Sequence, residues 1–261
     1  MRLVSLQAIY VMWARMIRRT WRSRSQLVGS ILFPLLFLFF LGTGFKTARF
    51  SGLPMEGGYL GFLGPGIVAM TLLFSSTFSG LSVLWDRQFG FLREIMVTPV
   101  SRLSIFLGRI ASGMTLGLGQ ATVIYLGAVL LGLGLPPLGH LALAIVAASL
   151  TSVVFLSLGL VFSSLLKDPH GFGLIMNFVV FPLFFLSGAL FPVGNLPLVL
   201  RWLAYLDPLT YGVDALRATL TAEVWTSPFP LGLPFDLAML TGFAILFITV
   251  GVALFDRVEV G

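Results

Sequence analysis

The sequence predicts an all-α polytopic membrane protein with six transmembrane helices, an N-terminal amphipathic interfacial helix and a re-entrant outer hairpin between spans 5 and 6. Three observations carry that fold. Of the 261 residues, 57% are hydrophobic and only 10% charged, with a mean hydropathy of +1.02; a soluble domain carries about 25% charged residues. Six apolar runs approach or exceed the roughly 20 residues that a helix needs to cross hydrocarbon. The stretch 181–220 leaves the fifth run, breaks at 191–195, and then stays greasy while carrying Arg201, Asp207, Asp214 and Arg217. An Asp or Arg costs about 2.5–3.5 kcal/mol at the centre of a spanning helix, so this second half should not cross.

Residues 3–22 read as a helix with two arcs. At about 100° per residue, Leu3, Leu6, Tyr10, Trp13, Ile17 and Trp21 share one side, and Arg15, Arg18, Arg19 and Arg22 share the other. Aromatic residues opposite arginines suit a helix lying in the interface plane; a basic flank that only orients the first span is the plainer alternative. Residues 1–26 therefore form an amphipathic cytoplasmic segment and 27–261 the transmembrane domain.

The spans are expected at about 27–45, 59–84, 104–132, 141–166, 172–190 and 235–255. The first is too long for a signal-peptide core and has no small-residue cleavage site behind it, so it reads as an uncleaved anchor. Pro34 and Pro182 should kink the Phe-rich first and fifth spans. In the segment after the fifth span, Pro192 and its neighbours break the chain. Asn195 can cap a first short helix with Pro197 in its opening turn. Asp207 can cap a second, with Pro208 at its first position, where a missing N–H costs nothing. Asp214 and Arg217, three apart, can pair.

Twelve Lys and Arg residues fall on one side of this topology, among them Arg87, Arg93, Arg102, Arg109 and Lys167, against Lys46, Arg49, Arg201 and Arg217 on the other. The positive-inside rule then puts both termini in the cytoplasm. The same rule accounts for the net charge of +6, so nucleic-acid binding is not implied. There is no Cys, which excludes disulfides and thiolate metal sites, and His140 and His170 stand too far apart for a metal-ligand motif.

The spans carry ionisable residues only near their ends, which argues against an ion-driven carrier or a channel with acidic rings. Gln120 and Asn177 are the deepest strongly polar side chains; each can bond a neighbouring helix or touch a substrate. No G-x-x-x-x-G-K-[ST] motif occurs, and no nucleophile–base or paired-carboxylate arrangement does either, so energy for active transport must come from a partner. The segment 85–109 is where it can enter. Phe89, Leu92 and Met96 fall at helical spacing beside Arg93 and Glu94, Thr98-Pro99 ends the helix, and Ser101 can cap the next. Such a helix either docks in a groove on another protein or rests on lipid. The turn at Lys167, Asp168 and His170 is a second contact on the same side. Phe33, Phe37 and Phe40 line one face of the first span, and Phe178, Phe181 and Phe185 one face of the fifth. Both stripes can face lipid, a neighbouring helix or a lumen.

The run FLSGALFPVGNLP (185–197), followed by LDPLTYGVDALR (206–217) with Tyr211 and Asp214 inside it, resembles the C-terminal signature of ABC-2 type export permeases such as the nodulation lipo-oligosaccharide and daunorubicin-resistance exporters. The pattern REI-V-PVSR (93–102) is similar to the loop where those permeases meet their ATPase, which favours docking over the lipid surface. The resemblance implies the membrane subunit of an ATP-driven ABC exporter in the bacterial inner membrane. It implies a dimer of permeases, a homodimer as the simplest form, with two ATPase subunits that hold the ATP and Mg. It also places the first and fifth spans near the dimer axis, making the Phe stripes lumen-lining. No cofactor is expected on this chain. An uncharged aromatic path suits an amphipathic drug-like or lipid-like substrate. A polysaccharide or lipid-linked glycan is the alternative cargo, and a passive channel or scaffold without an ATPase the alternative class.

Overall fold

A computed structural model describes residues 5–45, 58–90, 101–221, 225 and 227–255, and helix is the only regular structure among them. Helix α1, Leu6–Arg22, opens at Ser5, whose hydroxyl accepts the Ala8 amide, and closes with Arg19 and Arg22 in its last turn, where cations meet the negative end of the helix dipole. After a turn at Ser23 follow α2, Arg24–Gly44, then α3, Gly58–Ser79, and α4, Leu81–Gln88, separated from α3 by Gly80. Helix α5, Arg102–Leu130, starts at Ser101, whose hydroxyl accepts the Ser104 amide at 3.2 Å, as its sequence position requires. Helix α6 spans Leu138–Leu165 and α7 spans Pro169–Leu186. A 3-10 turn, Val193–Asn195, precedes two short helices, α8 at Leu198–Leu206 and α9 at Pro208–Leu220, and α10, Leu233–Phe255, closes the bundle. Among the described residues six helices, counting α3 with α4 as one, are long and apolar enough to cross a membrane, and they are the six runs expected from hydropathy.

Helix α3 is the centre. It is apolar on every side, the pattern of a helix enclosed by others, and Phe62, Leu63, Ile67, Leu72 and Leu73 are fully buried among α2, α5, α6, α7 and α9. Helix α10 packs on α6, and α1 on α5. The crossing of the α3–α4 junction with α6 is close enough to exclude side chains: a Cβ on Gly80 would strike the Gly159 carbonyl, and one on Gly159 would strike that of Thr77. Small residues that let backbones approach are the usual glue between helices in lipid. A buried hydroxyl pair, Ser76 and Ser152 at 2.9 Å, bonds the same two helices.

At 1.5 Å per residue, α8 and α9 are about 14 Å and 20 Å long, short of the ~30 Å hydrocarbon core. They differ in surroundings. Helix α9 is buried almost throughout, against α3, α6 and α10, whereas α8 turns Leu198, Val199, Trp202 and Leu206 outward. Asp207 caps α9 as expected, accepting the Leu209 amide at 2.8 Å with Pro208 in the first turn. The expected cap at Asn195 does not form. Pro197 occupies the cap position of α8 and has no side-chain acceptor, so Asn195 ends the 3-10 turn instead. The guanidinium of Arg201 reaches back to the carbonyls of Gly194 and Leu196 and ties this turn down.

Candidate functional site

Three groups of residues can do more than hold the bundle. The first is a face formed by α2 and α7. Phe33, Phe40, Phe178, Phe181 and Phe185 are exposed on it, Phe178 at 82%. Phe37 is half-buried and joins the two helices, its ring 6.4 Å from Phe184 and 6.0 Å from Phe33. Phe74 of α3 closes the floor, 5.5 Å from Phe181. The two stripes found in the sequence are thus linked through Phe184 and Phe74. Asn177 lies exposed next to Phe178 with no hydrogen-bond partner among the described residues. Gln120 does otherwise: its Nε2 donates to Ser30 Oγ at 3.0 Å, bonding α5 to α2.

The second group lies at the end of the bundle that carries most of the arginines. Phe89, stacked on Trp85 at 5.8 Å, is exposed at the end of α4. Leu92, Arg93, Glu94, Met96 and Pro99 lie outside the described residues. The turn before α7 sits at the same end, because Leu84 of α4 packs on Phe172 and Met176 of α7. Asp168 caps α7, accepting the amides of Gly171 at 2.7 Å and His170 at 3.2 Å; these two N–H groups hold its carboxyl below the usual range. Lys167 and His170 are exposed beside it. Behind both segments is a cluster that sequence reasoning missed. Asp86, only 1% exposed, faces Arg109 at 2.8 Å, Arg19 at 3.0 Å and Arg15 at 3.4 Å, and Arg109 also donates to Ser82 Oγ. One carboxylate thus binds α1 and α5 to α4. The inward side of α1 is Met12 and Met16 with these arginines, while Leu6, Tyr10 and Trp21 point away from the protein. Charge spacing within α1 gave no hint of a partner some 70 residues away.

The third group is at the opposite end. The expected pair Asp214–Arg217 is not made: no ion pair within 4.0 Å joins them. Asp214 accepts from Trp225 Nε1 at 2.6 Å and from the Ser227 hydroxyl. Arg217 donates to the carbonyl of Phe62 at 3.1 and 3.2 Å and to that of Gly188 at 3.1 Å, with its guanidinium 3.7 Å above the Phe62 ring. The planar fork reaches two carbonyls at once. Gly188, at φ +79, follows the last turn of α7, where a left-handed residue stops a helix and leaves carbonyls to be claimed. Tyr211 is buried among Phe229, Phe235 and Phe243 and donates to the Tyr205 carbonyl at 2.6 Å. Pro192 precedes the 3-10 turn, and Asp236 of α10 is buried beside Asp214.

No cluster of three or more metal-binding side chains occurs among the described residues. The family model for the ABC-2 type transporter matches residues 7–221. Similar proteins include the transport permease ycf38 of Cyanophora paradoxa, 30% identical over 221 residues, which cover 84% of this chain and 76% of that one. Nodulation protein J of Rhizobium leguminosarum bv. trifolii is 30% identical over 220 residues, 80% of this chain and 76% of its own. A permease named for multidrug ABC transport, YbhR of Escherichia coli (strain K12), is 27% identical over 179 residues, 66% of this chain and 48% of its own.

Proposed function

Since this chain belongs to the ABC-2 type transporter family, we propose that it is the membrane subunit of an ATP-driven exporter in the bacterial inner membrane, working as a dimer of permeases with two ATPase subunits. Both termini and the segment 85–102 face the cytoplasm, and α8 and α9 sit in the outer leaflet without crossing. The observation that carries the reading is the α2–α7 face. An amide left without a partner in hydrocarbon costs several kcal/mol, so Asn177 does not face lipid. A second copy, or a substrate between two copies, is what that face is built for, and the Phe residues around Asn177 make it apolar and uncharged. An amphipathic drug-like or lipid-like molecule is the cargo that such a path admits.

The sequence holds no phosphate-binding motif, so the energy arrives by contact. Phe89, Leu92 and Met96 fill the ATPase groove, Arg93 and Glu94 set its orientation, Pro99 ends the helix, and the Lys167–His170 turn adds a second touch. The partner, not this chain, carries ATP and Mg. Affinity purification of the tagged chain from its native membrane tests this: a subunit with a nucleotide-binding motif should co-purify in equal amount. Recovery of a dimer with no such subunit would leave the passive channel or scaffold.

A further inference from the structure

A cavity of about 340 Å³ opens between α2, α3 and α5 within a single copy of the chain, at the small end of the size range of ligand pockets. It begins near the basic end at Thr20 and Gln26 and runs along α2 as far as Pro34, about 12 Å at 1.5 Å per residue. Its walls combine the rings of Phe33, Phe74 and Phe78 with hydroxyls of Ser30, Thr71 and Ser75 and the amide of Gln120. No charged side chain is among the described residues that line it. Two of its lining residues, Gln120 and Ser75, each carry a buried oxygen, Oε1 and Oγ, with no hydrogen-bond partner among the described residues. A buried acceptor in hydrocarbon without a donor is a standing cost, and water has little access at that depth.

We infer that this cavity is a binding site for an uncharged amphiphile with hydroxyl or amide donors, taken laterally from the leaflet at the basic end. The donors meet Gln120 and Ser75, whose oxygens lack a donor in the structure. The apolar body lies along the three rings. Both a carboxylate and an ammonium are disfavoured, since nothing on the wall compensates a charge. The site deepens the exporter reading and rests on it for its meaning, as the place where cargo waits before reaching the α2–α7 face, but its occupancy requires neither ATP nor a partner.

The glycines supply a clean test. Gly29 lines the cavity and a Cβ added there meets nothing within 4 Å, so Gly29→Leu adds volume at that wall without displacing the backbone. The purified chain is placed in phosphatidylcholine nanodiscs with three photoactivatable probes of equal chain length: a diazirine-bearing hexadecanol, its carboxylate and its quaternary ammonium analogue. Adducts are mapped by mass spectrometry. The alcohol should label residues 26–34 and 70–79, and Gly29→Leu should cut this by about fivefold or more, the size of one net hydrogen bond plus lost volume. Labelling of Ile245 and Leu246 on the outward face of α10 should not change, which shows that the variant is folded. Each charged probe should label the cavity about fivefold less than the alcohol, and Gln120→Leu should erase much of that preference. Equal labelling by all three probes, or labelling indifferent to Gly29→Leu, would mean a groove filled by any lipid and would overturn the assignment. If the labels behave as stated and no ATPase co-purifies, the exporter reading fails and the site stands.

Discussion

Asp214 and Arg217 sit three residues apart on one helix, yet each is satisfied by a different element. Asp214 serves the chain leading into α10, through Trp225 and Ser227, and Arg217 pins α9 to α3 and to the end of α7. Helical spacing identifies which side chains can meet, but not which distant carbonyls compete for them. Removing Arg217 leaves two carbonyls in a buried place without their donor. Arg217→Met should lower stability by about 2–3 kcal/mol, read as a lower melting temperature in detergent, whereas Arg217→Lys should recover less than half of that because the compact ammonium lacks the planar fork that spans both carbonyls and stacks on the Phe62 ring. A melting temperature unchanged by Arg217→Met would remove the pin from the account. Asp86 is the same lesson at the other end. The single acid faces three guanidiniums, and Arg109 is as buried as its partner. Asp86→Asn strands that cation and should cost about 3–5 kcal/mol, while Asp86→Leu combined with Arg109→Met should be milder than either alone. Additive losses in that double variant would contradict a direct pair.

Helices of membrane length were legible because hydropathy needs only composition and run length, and all six appear within a few residues of their expected ends. The caps at Ser101 and Asp207 were legible for a local reason too: each is a side chain that meets an amide two or three residues on. The cap at Asn195 failed locally as well, because Pro197 takes the position that a cap would need. What could not be read was which side of α1 faces inward. Leu6, Tyr10 and Trp21 of its aromatic arc are outward while Trp13 donates to Thr115 of α5, and Met12, Met16, Arg15 and Arg19 hold the bundle, a choice made by α4 and α5. For α8 and α9 the expectation is a pair of helices entering the outer leaflet and leaving it on the same side. The natural absence of Cys makes single-Cys accessibility scanning direct. Cysteines placed at Asn195 and at Ser227 should react with an impermeant maleimide from the same, outer side. Labelling from opposite sides would show that the segment crosses.

At the scale of the whole molecule, α2 and α7 expose Phe33, Phe40, Phe178, Phe181 and Phe185. The Phe stripes were visible in the sequence, but the links from Phe37 to Phe184 and from Phe74 to Phe181 depend on how α2 and α7 lie against α3, which no local pattern encodes. If two copies meet there, a single Cys at Phe178 should form a disulfide between copies under mild oxidant, while one at Ile245 on the outward face of α10 should not. Equal cross-linking at both positions would place the contact elsewhere.

In the proposed exporter, work reaches these six helices from a separate ATPase through the segment that follows α4. Burying a Leu- or Phe-sized side chain is worth about 1.5–3 kcal/mol, so losing Leu92 should weaken docking roughly tenfold to a hundredfold. The most direct measurement is ATP hydrolysis and transport in proteoliposomes holding the chain with its co-purified ATPase, compared with Leu92→Asp. The variant should express and dimerise normally, because residue 92 lies outside the spans, and should lose both ATPase association and substrate-stimulated hydrolysis. Full association and transport with Leu92→Asp would contradict the claim and pass the coupling role to the turn at Lys167, Asp168 and His170 or to α1.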